Sequence, residues 1–248
     1  MAAGKFGPSS GIMLIDGYNV LSNKVTALTE KNTSAMSDGT GLGDSAYETF
    51  PVGITTSEVT QEGGYFDTTA LYSHAAFSGS IPTSPQSTAR VMCLGFAGQT
   101  TGYPMVGYEG TFSDSYEVVA SLGDLQKANV TYAITGKRSA GLILQPLAAK
   151  TADWNTQSSS VDNSASSANG GEGFIQCTAA TGFSAFVGTI QHSADNISFA
   201  SLIDFSDNVT APFAERKTVS STVNRYLAFS GNVTGTGSIT VFAAFARG

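Results

Sequence analysis

Charge is what this chain has least of. Asp, Glu, Lys and Arg together make up 12% of its 248 residues, about half the usual share. A surface so poor in charge suits contact with other protein, because charge is depleted where protein meets protein. Cysteine is nearly absent, with Cys93 and Cys177 the only two. A chain of this length can bury roughly 75% of its unfolded surface without a disulfide or metal staple, so both thiols read as reduced, buried, small apolar side chains. Two histidines, His74 and His192, exclude a His-rich metal cluster. No apolar run approaches the ~20 residues that cross a bilayer. Near the start only Ile12–Ile15 is continuously apolar, too short for the core of a secretory signal. Synthesis in a cytoplasm, with no membrane partner, is the expectation.

Basic residues are scarce as well, and the net charge is −7. From residue 173 onward Arg216, Lys217, Arg225 and Arg247 balance Asp195, Asp204, Asp207 and Glu215, so residues 1–172 carry the whole acidic excess. Asp38, Asp44, Glu48, Glu58, Glu62 and Asp67 follow one another with no Lys or Arg between them. Gripping nucleic acid needs cations to replace its counterions, and this stretch offers none.

What is present is Thr, Val, Gly and aromatic residues, the composition of pleated sheet. "NVTYAITG" sets Val130, Tyr132 and Ile134 on one parity against Thr131, Ala133 and Thr135, a half-buried strand. "TARVMCLGFAG" is apolar on both parities. "GKRSAG" reads as a turn between "NVTYAITG" and "AGLILQPL". One short helix is expected in "DTTALYSHAAF", capped by Asp67 and stopped by Pro82 and Pro85. Residues 156–172, "TQSSSVDNSASSANGGE", are nearly devoid of apolar side chains and read as a linker. Six strands are expected after it, spaced as in a compact sandwich or jelly roll. The last, "SITVFAAFA", is apolar on both faces, which belongs in the middle of a packed structure or at an interface. The expected fold is therefore mainly β. Residues 1–155 form a β-sandwich or barrel with one short flanking helix, 156–172 a Ser/Asn/Gly-rich linker, and 173–248 a C-terminal sandwich or jelly-roll-like module.

No motif supports catalysis. "DGTGLGD" at 38–44 has a G-x-G-x-G spacing, with no Lys-Ser/Thr, no apolar strand leading directly in and no helix leading out, so it is not read as a nucleotide loop. Asp38 and Asp44 supply too few oxygens for calcium. The stretch reads as a mobile or interface-forming loop. In "QHSAD" His192 and Ser193 are adjacent on a strand and diverge, whereas a triad must converge. Tyr103, Tyr108, Phe112, Tyr116 and Trp154 are either core or a sugar platform. Arg225 is placed to pair with a carboxylate across a sheet. No enzyme activity, cofactor or metal is expected.

The run "GTGLGDSAYETFPVGITTSEVTQEGGYFDTTALYSHAAF" resembles the tail tube proteins of long-tailed bacteriophages, and "LQKANVTYAITG" is similar to a strand of that family. "FVGTIQHSADNISFASLIDF" and "STVNRYLAFSGNVTGTGSITVFAAFARG" resemble the C-terminal β-modules of phage structural proteins. The resemblance implies a virion subunit that assembles with copies of itself into rings, stacked as a hollow tube through which genomic DNA passes unbound. It implies partners among other tail proteins, namely tape measure, terminator and distal tail proteins. It implies an inter-ring loop at Asp38, Gly39, Gly41, Leu42, Gly43 and Asp44. Strand alternation puts Glu58 and Glu62 on one face, which makes them the candidate lumen-facing acids. The alternatives are a carbohydrate-binding or adhesive β-module of a phage or bacterial surface protein, or a head decoration protein.

Overall fold

The computed structural model describes residues 11–20, 25–40, 42, 49–66 and 90–248. The helix expected over 67–77 lies outside them. The strands are β1 (Ile12–Ile15), β2 (Tyr18–Asn19), β3 (Ala27–Asp38), β4 (Thr49–Tyr65), β5 (Arg90–Gly95), β6 (Pro104–Val119) and β7 (Lys127–Lys150), followed by β8 (Trp154–Asn155), β9 (Val161–Asp162), β10 (Gly171–Ser193), β11 (Ala200–Asp204), β12 (Phe213–Val219) and β13 (Tyr226–Arg247). They form one antiparallel sheet in the order β11-β10-β13-β7-β6-β5-β1-β2. β12 also pairs with β10, β4 with β7, β3 with β4, and β8 and β9 with β13.

The fold is mainly β, as the composition requires, but the strands are fewer and longer than the punctuation suggests. Six strands are expected after residue 172, and the structure has four. β10 runs without a break through "GFIQCTAATG" and "SAFVGTIQHS", and β13 through "YLAFSG" and "SITVFAAFA". The turn expected at "GKRSAG" is likewise interior to β7. In each case the glycine marks a bend, not a chain reversal. The β10–β13 ladder shifts register between Cys177 and Ala179, between Thr181 and Phe183, and between Phe183 and Ala185. Extra residues of this kind raise the local twist and bend a strand while hydrogen bonding resumes on either side. The bend brings the two halves of β10 face to face. A Cβ on Gly173 would lie 2.6 Å from Ile190 Cδ1, and one on Gly188 2.7 Å from Ile175 Cδ1. The single sheet thus folds over itself into facing layers.

Three apolar clusters fill the spaces between layers. One lies within the C-terminal half and contains Ile175, Phe186, Ile190, Phe229, Val241, Ala243 and Phe245. A second lies within the N-terminal half and contains Met13, Ile15, Val59, Met92, Leu94, Tyr108 and Tyr132. The third joins the halves: Ile12, Leu14, Cys93, Met105 and Ile143 pack against Phe174, Phe242, Ala244 and Ala246. Strand alternation explains the membership. β1 sends Ile12 and Leu14 to the joint and Met13 and Ile15 to the N-terminal cluster. β13 sends Phe242 and Ala244 to the joint and Val241 and Ala243 to the C-terminal one. Strands that are apolar on both faces are those with a core on each side. Cys93 and Cys177 are both free and buried, and burial pushes each thiol up to about 12.

Polar contacts follow the same joint. Asp16 and Gly17, at φ 47° and 82°, form the two-residue turn between β1 and β2, the type I′ geometry that suits a hairpin. Gly17 N donates to Gln176 Oε1 at 2.6 Å, and Gln176 Nε2 donates to Val91 O at 3.0 Å. Gln176 is fully buried, so both ends of its amide are satisfied across the joint. The strip 156–172 lies along β13. Thr156 N donates to Phe229 O, and Phe229 N donates to Thr156 Oγ1, both at 2.8 Å. Val161 and Asp162 pair with Leu227 and Tyr226. Arg225 pairs bidentately with Asp162 at 2.7 and 2.6 Å, the cross-sheet carboxylate expected for it. The guanidinium holds the Asp162 carboxyl down at about 2. At the chain's end Arg247 donates to the carbonyls of Ala165, Val223 and Asn224.

Candidate functional site

β3 and β4 form a long hairpin whose two halves differ. Its inner half is supported, because Ser57 to Tyr65 of β4 pair with β7. Its outer half, 33–38 against 49–56, pairs with itself alone among the described residues. Every residue from 31 to 40 is exposed. Met36 is 57% exposed and Leu42, beyond the end of β3, is fully exposed. A two-stranded ribbon on its own is marginal in water, and this one presents apolar side chains to solvent.

The root of the ribbon is pinned by a charged cluster. Glu30 accepts hydrogen bonds from Arg138 Nε, from the Tyr108 hydroxyl and, at 3.1 Å, from Asn32 Nδ2. Tyr108 is fully buried, and its hydroxyl would otherwise be stranded in the N-terminal core. Burial raises the Glu30 pKa, but the hydrogen bonds from Arg138, Tyr108 and Asn32 outweigh it, and the net shift is downward. Burial and the Glu30 acceptor together push the Tyr108 phenol upward.

A second cluster ties the halves of the protein together. Arg216 on β12 lies 2.7 Å from Glu109 on β6 and 3.2 Å from Glu172 on β10. Ser139 on β7 donates to Glu172 at 2.6 Å. Burial raises the Glu172 pKa, the Ser139 and Arg216 hydrogen bonds lower it, and the net is again downward. A carboxyl whose folded value lies below its unfolded one, here 4.5, stabilises the fold fully above pH 4.5. That contribution disappears as pH falls through the folded value. Melting temperature should therefore fall on acidification below pH 4.5, and Glu172→Gln should flatten the fall. Equal acid slopes for the variant and the parent would show that Glu172 contributes nothing to it.

The residues singled out in the sequence sort as follows. Asp38 closes β3 and accepts from Thr40 N at 2.9 Å. Gly39 follows it and Leu42 lies at the exposed tip, while Gly41, Gly43 and Asp44 fall outside the described residues. Glu58 and Glu62 are both exposed on one face of β4, with Val59 and Gln61 buried on the other. The stretch without a neighbouring cation gains one in space, because β3 registers Lys31 opposite Glu58. The aromatics do not meet on one platform. Tyr103 packs at the joint, Tyr108 and Tyr116 in the N-terminal cluster, and Trp154 against the C-terminal one. The Phe112 side chain lies outside the described residues. In "QHSAD", His192 Nδ1 accepts from Asn224 N, and Ser193 donates to Asp195, whose carboxylate caps Ile197 and Ser198 N–H groups.

Among the described residues, the surface depressions include an apolar and a polar one. An open groove of about 880 Å³ runs over β5, β6 and β7, lined by Leu94, Phe96, Pro104, Val106, Arg138, Ala140 and Leu142. Phe96 is 43% exposed there. A polar cleft of about 270 Å³ lies beside β8, among Asp153, Asn155, Gln157, Gln191 and Asn232. Neither depression was legible in the sequence, because each combines side chains from strands far apart in the chain.

No protein-family model matches the chain, and no curated protein matches it. Among solved structures it is similar to a chain of the tail of an empty gene transfer agent particle with C6 symmetry, at 12% identity and TM-score 0.37, over 46% of this chain and 80% of that one. It is similar to a chain of the native gene transfer agent virion at 10% identity and TM-score 0.42, over 55% and 98%. It is also similar to the SPP1 Dit protein, described as a paradigm of the hub adsorption apparatus in phages infecting Gram-positive hosts. That match has 11% identity and TM-score 0.37, over 95% and 98%. At these values the likeness carries no argument about what this chain does.

Proposed function

We propose that the chain is a structural subunit of a phage tail that assembles with copies of itself. The observation that carries the reading is the outer half of the β3–β4 hairpin, a ribbon whose strands pair only with each other among the described residues and which is exposed over residues 31–40. A ribbon of this kind gains its order by docking on another molecule. Burying Met36 and Leu42 there would contribute about 1.5–3 kcal/mol each. In the finer form of the proposal, rings of the subunit stack into a tube. Residues 38–44 then make the contact between rings, and Glu58 and Glu62 face a lumen that passes DNA without holding it. A ring repeats each acidic side chain, which compensates for the ~8 Å screening length in physiological salt. Tape measure, terminator and distal tail proteins would be its partners, and the virion its location.

Negative-stain microscopy and sedimentation of the purified protein test this. Rings or tubes are expected, growing with concentration. A monodisperse monomer at every concentration would overturn self-assembly.

A further inference from the structure

We infer that His192 is an acid-released latch on the clasp that holds residues 162–167 against the start of β13. The inference goes beyond the proposed assembly and does not depend on it.

The clasp centres on Val223, Asn224 and Arg225, just before β13. Val223 exchanges two backbone hydrogen bonds with Ser167, at 2.9 and 2.8 Å, and Arg225 O accepts from Asn163 N at 3.0 Å. Arg247, at the far end of β13, donates to Val223 O, Asn224 O and Ala165 O. Arg225 pairs with Asp162. On the other side Asn224 N donates to His192 Nδ1 at 3.2 Å, which ties the clasp to β10. The strip so held is Asp162, Asn163, Ser164, Ala165, Ser166 and Ser167, and none of these residues is fully buried. Hydrogen bonds and the Arg225–Asp162 ion pair hold it in place of apolar packing. A segment with few buried apolar contacts is the kind that opens locally.

His192 holds its end of the clasp only while its ring is neutral. An Nδ1 that accepts keeps its lone pair, so the ring proton is on Nε2. Acid puts a second proton on Nδ1, and two N–H donors then face each other. Asn224 cannot turn away by itself. Its carbonyl is bonded to Arg247, and both backbone groups of Val223 are bonded to Ser167. The displacement passes to residues 162–167.

Burial lowers the His192 pKa below its ordinary 6.5. Its contribution is therefore full above pH 6.5 and is lost as pH falls through the folded value. The charged groups around the clasp stay as they are over that range. Arg225 holds the Asp162 carboxyl at about 2. The N–H groups of Ser198 and Ile197 hold Asp195, on the turn after β10, at about 2 as well. Arg225 and Arg247 keep their charge. β11, alongside β10, brings Asp204 only at its far end, where it bonds to Thr189 and Ser201. His192 is thus the group of the clasp that changes charge between about pH 8 and 5.

Backbone hydrogen exchange of the full chain, corrected for the intrinsic pH dependence of exchange, tests the latch. As pH is lowered from about 7.5 to about 4.5, protection of the Asn224 and Ser167 amides is expected to fall about threefold or more. His192→Asn offers an oxygen acceptor that gains no proton, and its protection is expected to stay high throughout. His192→Ala has no acceptor, and its protection is expected to be low throughout. Parent protection that does not change with pH would overturn the latch, as would the same fall in His192→Asn or full protection in His192→Ala. A fall matched by the Phe174 and Phe242 amides would be unfolding of the whole chain and would overturn it too.

Discussion

Phe174→Ala is expected to destabilise the entire chain by about 3–5 kcal/mol, the range for truncating a buried phenylalanine. Phe174 is fully buried at the joint between the halves. Its ring occupies the space above Gly107, where an added Cβ would lie 2.4 Å from Phe174 Cζ. Removing the ring leaves a cavity walled by both halves, and a closely packed interior relaxes into such a space only in part. β13 also pairs with β7 through Ile239 to Phe245, so the strand that closes the C-terminal half is hydrogen-bonded to the N-terminal one. A loss of this size lowers the melting temperature by roughly 6–20 °C in a chain of this length. The shape of the transition matters as much as its midpoint. We propose that both halves melt in one cooperative step, which calorimetry and far-UV circular dichroism would show as a single shifted transition. Two transitions, one of them unmoved by the substitution, would show instead that residues 173–248 stand as a module of their own.

Much of this fold was legible residue by residue. Alternation in "NVTYAITG" gives the buried face of β7 correctly, with Val130 and Tyr132 inside. The two-faced apolar character of "SITVFAAFA" left two places for it, the middle of a packed structure or an interface, and the structure has it in the middle, flanked by β10 and β7. The strand count was not legible, for a physical reason. Gly182, Gly235 and Gly136 all take positive φ, as turn glycines do, yet each sits inside a continuing strand. A bend that lets a sheet fold onto itself and a turn that reverses the chain ask for the same local conformation. They differ only in where the next residues find partners, and that is a long-range property. The same limit hid the site. Glu30 gave no local sign of importance, since its partners Tyr108 and Arg138 are far away in sequence. The acidic run holds no cation in sequence, and Lys31 comes to stand opposite Glu58 only through strand pairing.

Charging the ribbon tip should abolish assembly while leaving the subunit folded. In Met36→Asp with Leu42→Asp, two exposed apolar side chains are exchanged for carboxylates on a surface already acidic. Neither side chain belongs to an apolar cluster, so the folded monomer loses nothing it had buried. Surface changes of this kind stay within about 0.5 kcal/mol of the parent stability. In the assembly the same positions would have to bury charge with no partner, which costs several kcal/mol for each group. Repeated at every contact in a ring, even about 3 kcal/mol reduces association by more than a hundredfold per contact. The expected result is a double variant with the parent's melting temperature and circular dichroism that sediments as a monomer where the parent forms rings or tubes. Salt offers an internal check. If repulsion among tip carboxylates contributes, assembly should recover partly at high ionic strength, where the screening length shrinks to about 3 Å at 1 M. Rings or tubes of ordinary length from the double variant at low salt would show that the ribbon's exposed side chains are not the contact.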